Sequence, residues 1–312
     1  MYFAYRHLCG FHHFILRIYF RKFAPSLAFF AVKIFRTKQT LQAHLEELRR
    51  AHQRIALVPT MGALHEGHLA LIQDAQRVAD IVICSIFVNP TQFNDPSDLE
   101  KYPRPEENDL RLLQDIQCDI AFLPTVEEMY PKREESWQLD LGTLEQVWEG
   151  ERRPGHFQGV TQIVYKLFRL VEPDIACFGQ KDFQQIMVIQ RLIDIKNLPV
   201  SLHICPTVRN ENGLALSSRN IRLSAAGKNK AEVLYRALTH IKKNFQDRSL
   251  DVLRQEALDI LQQEGAVEVE YLAICETHSL QEVDQITPHK KHVVLLVAWV
   301  EGVRLIDNEL LN

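Results

Sequence analysis

The richest chemistry in the chain lies in Pro59-Thr60-Met61-Gly62-Ala63-Leu64-His65-Glu66-Gly67-His68, which follows Ile55-Ala56-Leu57-Val58 and leads into Leu69-Ala70-Leu71-Ile72. The pattern predicts a strand, a tight turn and a helix. Two histidines three apart at a helix start share a face, and backbone N–H groups there lack intrahelical partners, so the turn suits an anion of phosphate size. Three readings compete. The imidazoles can cap the helix or face solvent. They can form a zinc pair, although no third ligand is evident nearby in sequence. Or they donate to nucleotide phosphates, with Gly62 and Gly67 letting the backbone come close. The strand-turn-helix context favours the third.

Two later segments carry complementary groups. Phe178-Gly179-Gln180-Lys181-Asp182-Phe183-Gln184-Gln185 also ends a strand and opens a helix. There Lys181 can neutralise a phosphate, Asp182 can cap the helix or accept from a ribose hydroxyl, and Gln185 projects one turn along. Plain capping and surface charge account for the same residues in isolation. Gly213-Leu214-Ala215-Leu216-Ser217-Ser218-Arg219-Asn220 is small and polar with one fixed cation. Its serine hydroxyls and Arg219 suit the growing charge of a diphosphate leaving group, though singly the segment also reads as a linker.

Such residues need a scaffold, and from Thr40 to Pro206 the pattern alternates strand and helix. Leu41, Leu45 and Leu48 have helical spacing ahead of a strand at 54–59, and Leu69, Ile72, Ala75 and Ala79 precede a second strand at 81–88. A helix near 105–117 leads to a strand at 119–123. Val160, Val164, Leu167 and Val171 form a stripe ahead of 174–178, and a helix over 183–196 precedes 200–204. Near-continuous apolar strands separated by helices imply a parallel sheet covered on both faces, with ligands beyond the carboxyl ends of the strands. The histidine motif and Asn89-Pro90-Thr91-Gln92 both fall at such ends. Helical stretches at 224–245 and 249–264, then short strands at 267–275, 293–300 and 303–306, predict a small α+β unit. The expected class is α/β, with a Rossmann-like parallel-sheet domain over 38–209 and a smaller C-terminal α+β domain over 210–312. The boundary falls at the turn signal Asn210-Glu211-Asn212-Gly213.

A length of 312 residues agrees with two domains, and 46% hydrophobic with 24% charged residues excludes a disordered or fibrous class. No uncharged apolar run reaches the roughly 18 residues of a membrane helix. Residues 1–37 stand apart: seven Lys or Arg occur through residue 38, aromatics are frequent, and the first acid is Glu46. They are read as a basic aromatic leader outside the fold, with an amphipathic targeting segment as the alternative, and a chain without them is expected to stay active and soluble. Beyond residue 38, 29 basic residues face 40 acidic ones, a formal charge of −11, which argues against nonspecific nucleic-acid binding. The cysteines at 9, 84, 118, 177, 205 and 275 lack CxxC spacing and read as reduced, buried thiols in the cytosol, with neither disulfides nor a zinc site.

Taken together, HxGH at the first strand-helix turn and a Ser-Ser-Arg loop after the sheet resemble the HIGH and KMSKS-like pair of class I nucleotidylyltransferases. The resemblance is closer to the pantoate:β-alanine ligases of that superfamily. It rests on PTMGALHEGH, FVNPTQF, RPGHFQGV (153–160), FGQKDFQQ, GLALSSRN and the late RLIDN (304–308), in that order, and covers about 38–312. Gln180 stands where the family commonly has Glu, and Leu216 where some members have Met.

The resemblance implies a two-step reaction. Pantoate attacks the α-phosphorus of ATP to give pantoyl adenylate and diphosphate, and β-alanine then attacks the acyl carbon, releasing AMP and pantothenate. His65, His68, Lys181 and Arg219 are the implied catalytic set, gathered with Ser217, Ser218 and Mg²⁺ around the phosphates, with His68 hydrogen-bonding transition-state charge. ATP is expected against Met61, Gly62, Ala63, Leu64, His65, Glu66, Gly67 and His68, against Gly179, Gln180, Lys181 and Asp182, and against Val208, Leu216, Ser217, Ser218 and Arg219. Gln92 and Gln185 resemble the pantoate-binding pair, Asn89 assists, and Gln92 also meets β-alanine; neutral amides hold hydroxyl and carboxylate groups without imposing charge. No protein metal ligand is assigned, since Mg²⁺ arrives on the ATP phosphates. Glu107 and Asp109 are conceivable metal partners but read better as first-turn charges on a solvated helix. The small domain is expected to act as a lid. A cytoplasmic homodimer handling small molecules, without nucleic acid or membrane, completes the expectation. A metal-dependent hydrolase, a non-catalytic nucleotide-binding regulator and another nucleotidylyltransferase are the rivals.

Overall fold

The computed structural model describes residues 31–131, 136–265 and 267–312. The apolar run at 55–58 lies in the interior of a six-stranded sheet. Its strands are β1 (Lys33–Phe35), β2 (Ile55–Thr60), β3 (Ile81–Ile86), β4 (Ile120–Phe122), β5 (Ile175–Gly179) and β6 (Ser201–Cys205). They lie in the order β1-β4-β3-β2-β5-β6 with every pair parallel. Helices α1 (Lys38–Arg50), α2 (Glu66–Val78), α3 (Glu106–Asp115), α4 (His156–Val171) and α5 (Phe183–Lys196) cover both faces. Alternation along the strands divides the core. Leu57, Ile83 and Phe122 pack with residues of α1, α4 and α5, whereas Ala56, Val58, Val82 and Ala121 pack with α2 and α3.

The strand order locates the site. From β2 the chain winds outward through β3 to β4, then returns to place β5 on the other side of β2. The carboxyl ends of β2 and β5 therefore flank a topological switch point, where open α/β sheets form a crevice. The histidine motif follows β2 and the Gln-Lys-Asp turn follows β5.

The small domain contains α6 (Ala225–Ala231), α7 (Val233–Asn244) and α8 (Leu250–Gln263), then β7 (Val267–Glu276), β8 (His292–Val300) and β9 (Val303–Leu310) in an antiparallel sheet. The helix expected over 224–245 is interrupted only at Glu232, whose backbone keeps helical angles (φ −62°, ψ −21°). One sheet face, including Ile274, Val294 and Leu296, packs with α7 and α8. The other, including Ala273, Val293 and Leu295, joins the same core as Phe183 and Ile186 of α5. Among the described residues no helix is long and apolar enough to cross a membrane.

The fold begins earlier than residue 38. Lys33–Phe35 pairs in register with Ile120–Phe122, and the Thr37 hydroxyl caps α1 by accepting from the Thr40 N–H at 3.3 Å. A three-residue edge strand with a basic residue at its start carries too little periodicity to be read from sequence. The rest of the leader, residues 1–30, and Cys9 lie outside the described residues. A chain starting at 38 should therefore melt below one starting at 31, the lost cap alone costing about 1 kcal/mol. Equal thermal midpoints would show that β1 adds nothing.

Candidate active site

A carboxylate from α3 shapes the turn after β2. Asp109 is 1% exposed, and its two oxygens accept from the Ala63 and Leu64 N–H groups at 2.8 and 2.7 Å. Gly62 (φ +79°) and Ala63 (φ +50°) are left-handed, and a Cβ on Gly62 would lie 2.9 Å from Asp109 Oδ2, so this position requires glycine. Burial pushes the Asp109 carboxyl up while the two N–H bonds oppose the shift. Asp109 is thus not a solvated first-turn charge: both oxygens hold the turn. Glu107 stays exposed on the same helix.

The histidines are both caps and donors. His65 is the N-cap of α2, its Nδ1 accepting from the Gly67 N–H at 3.1 Å, and His68 Nδ1 accepts from the His65 N–H at 3.3 Å. Their rings lie 4.1 Å apart. A neutral imidazole that accepts at Nδ1 carries its proton on Nε2 and donates from there. Burial, reinforced by Lys181, lowers His65 to about 4. Burial, His65 and Lys181 lower His68 to about 3. Both rings are therefore neutral near pH 7, and fixed positive charge at the cavity is left to Lys181 and Arg219. The capping bonds also take backbone N–H groups that the sequence suggested for an anion, moving that role to the two Nε2–H groups.

The strand ends and residues 216–219 enclose a cavity of about 420 Å³. Met61, His65, Gly67 and His68 line it after β2, Asn89 and Gln92 after β3, and Gly179, Lys181, Asp182 and Gln185 after β5. Val208, Leu216, Ser217, Ser218 and Arg219 complete the wall. Five expected ATP contacts stand outside it. Gly62, Ala63 and Leu64 form the turn behind the histidines, Glu66 is exposed, and the Gln180 amide donates to Asn308 Oδ1 at 3.3 Å. Ser85 and Thr207 line the same wall, their hydroxyl oxygens buried without a hydrogen-bond partner among the described residues.

Asn89 is committed to the protein. Its amide donates to Gly159 O (3.1 Å) and Gln92 Oε1 (3.2 Å), and its Oδ1 accepts from Tyr130 (2.6 Å) and Thr91 (3.2 Å), which uses its full capacity. It therefore positions Gln92 instead of offering a direct contact. His156 Nδ1 donates to the Gln92 carbonyl at 2.8 Å, and burial together with Arg153 lowers this ring to about 4. Gly159 lets α4 press against the turn: a Cβ there would sit 2.2 Å from the Thr91 carbonyl oxygen.

The family model for Pantoate-beta-alanine ligase matches residues 33–310. The chain belongs to this family. A pantothenate synthetase of Cytophaga hutchinsonii is 45% identical over 272 residues, covering 86% of this chain and 96% of that protein. One from Porphyromonas gingivalis is 43% identical, covering 89% and 98%. The crystal structure of pantothenate synthetase from Thermus thermophilus superposes with a TM-score of 0.83 at 39% identity, covering 89% of this chain and 99% of that one. The Francisella tularensis pantoate-beta-alanine ligase, complexed with beta-gamma ATP and beta-alanine, gives 0.74 at 31%, covering 90% and 98%.

The late RLIDN motif has a physical task that spacing alone does not disclose. Arg304 grips Glu149 with two bonds (2.9 and 2.6 Å) and reaches Glu270 at 2.8 Å. Burial pushes the Glu149 carboxyl up, but the Arg304 bonds and charge hold it below the ordinary range. Asp307 receives both arms of Arg209 at 2.6 and 2.9 Å. Asn308, 1% exposed, donates to the carbonyls of Gln180 (3.0 Å) and Lys181 (2.8 Å), so β9 holds the turn that presents Lys181. Arg153, quoted in the sequence only within RPGHFQGV and given no role there, adds half-buried positive charge to an adjoining cavity that Lys181 and Arg219 also line.

Asp109→Ala should destabilise the protein by about 2–4 kcal/mol, because two buried backbone donors lose a charged acceptor, and should raise the ATP requirement. Wild-type stability and ATP dependence in this variant would refute the role given to Asp109.

Proposed function

We propose that this chain joins pantoate to β-alanine with ATP through pantoyl adenylate, releasing diphosphate and then AMP. The observation that carries the reading is the convergence of two neutral Nε2–H donors, Lys181 and Arg219 on one cavity that also receives the amides of Gln92 and Gln185. A carboxylate approaching an ATP phosphate meets like charge, so fixed cations and preorganised donors must lower that barrier. In the first step a pantoate carboxylate oxygen bonds to the α-phosphorus as the bond to diphosphate breaks. His65 and His68 donate to phosphate oxygens, while Lys181 and Arg219 balance charge. In the second, the β-alanine nitrogen bonds to the acyl carbon, AMP leaves, and the nitrogen gives up a proton. Gln92 and Gln185 orient pantoate in both.

ATP enters as its Mg²⁺ complex. Asp182 borders the cavity beside Lys181, Asp74 in its wall pairs with Arg77, and Asp109 holds the turn, a sparse carboxylate supply that suits an ion held mainly by phosphates and water. We narrow closure to the 214–222 segment: the small sheet shares a core with α5, and Arg304 ties it to Glu149. The metal-hydrolase rival is disfavoured, since both Nδ1 atoms are engaged. Among the described residues the one close group of three metal-type donors, Asp74, His203 and Cys205, includes neither His65 nor His68.

Pantoate-dependent exchange of diphosphate into ATP, followed by AMP release on adding β-alanine, tests the proposal. His68→Ala and Lys181→Ala should each lower exchange on the order of 10²–10³-fold while remaining folded, and Gln92→Ala should chiefly raise the pantoate requirement. Exchange without pantoate, or near-normal exchange in His68→Ala, would overturn the assignment.

A further inference from the structure

Away from the histidine turn, a second set of donors meets in the cavity wall. His203 and Cys205 stand two apart on the edge strand β6, so their side chains share a face of the sheet, and α2 brings Asp74 to them from its third turn. One ligand atom from each of Asp74, His203 and Cys205 lies within 4.8 Å of the other two; Cys205 is buried, the others half-buried. Asp74 and Cys205 also line the nucleotide cavity.

We propose that Asp74, His203 and Cys205 form a binding site for a divalent cation of the zinc class, in the wall of the cavity. A thiolate, an imidazole and a carboxylate are the mixed donor set that Zn²⁺ and Co²⁺ accept, whereas Mg²⁺ takes oxygen alone. Tetrahedral coordination at bond lengths of about 2.0–2.3 Å puts donors roughly 3.3–3.6 Å apart, so side-chain shifts of about 1 Å close the set. Solvent, or an atom of a ligand in the cavity that Asp74 and Cys205 line, would fill the fourth position.

The thiol of Cys205 hydrogen-bonds Cys177 and Asp74, and those contacts with burial push it well above the ordinary thiol range. Metal binding therefore replaces the thiol proton: Cys205 Sγ bonds to the ion and one proton leaves, so affinity rises with pH. Arg77 pairs with one Asp74 oxygen, and the carboxylate has a second.

Titrating the reduced, full-length protein with Co²⁺ tests the site through thiolate-to-cobalt absorption. One Co²⁺ per chain should bind, be displaced by Zn²⁺, and lose the absorption in Cys205→Ser. His203→Asn should weaken binding at least about tenfold, which decides the matter if Cys205→Ser does not fold. His7, Cys9, His12 and His13 offer another thiol-imidazole set in the leader, so Cys9→Ser is the control and should keep the absorption. Absorption that survives Cys205→Ser or disappears in Cys9→Ser, unchanged affinity in His203→Asn, or no cobalt binding would each overturn the proposal.

Discussion

Two backbone N–H groups, those of His65 and Gly67, set the chemistry of the nucleotide cavity. Each donates to an imidazole Nδ1, His65 to the ring of His68 and Gly67 to the ring of His65. While neutral, a ring so held has its proton on Nε2 and presents a donor. The arrangement needs the left-handed turn at Gly62 and Ala63, and that turn needs the two oxygens of Asp109. Strand, turn, cap and donor are thus one connected construction.

Neutrality divides the labour at the site. Burial removes water from both rings, and Lys181 adds repulsion against a second positive charge, so protonation is suppressed. Positive charge is carried by Lys181 and Arg219, which line both this cavity and the adjoining one that Arg153 also lines. In the proposed reaction the imidazoles contribute direction instead: two N–H groups whose orientation is fixed before a phosphate arrives. Lys181 is in turn held through its own backbone by Asn308, which makes the small domain part of the machinery and not merely a cover.

What could be read from sequence is what is local. The strand-turn-helix after β2, the Gln-Lys-Asp turn after β5 and the Ser-Ser-Arg segment each announce themselves within about ten residues, and the alternation of buried strands with helices places all three at one sheet edge. Asp109 escapes such a reading because its partners lie 46 and 45 residues away, and an acid in a first helical turn is ordinarily solvated. Asn308, 127 residues from Lys181, is invisible for the same reason. Asn89 shows the converse: its residue type suits a ligand, but Tyr130, Thr91, Gly159 and Gln92 use it completely. The charge state of the histidines depends on burial, which motif spacing does not specify.

The most direct test of this account is the ¹⁵N chemical shifts of the His65 and His68 ring nitrogens in the ligand-free protein as pH is lowered from neutrality. Both rings should show the neutral Nε2–H form near pH 7 and stay neutral until about pH 4 for His65 and about 3 for His68. An imidazolium or Nδ1–H form in either ring near pH 7 would contradict it.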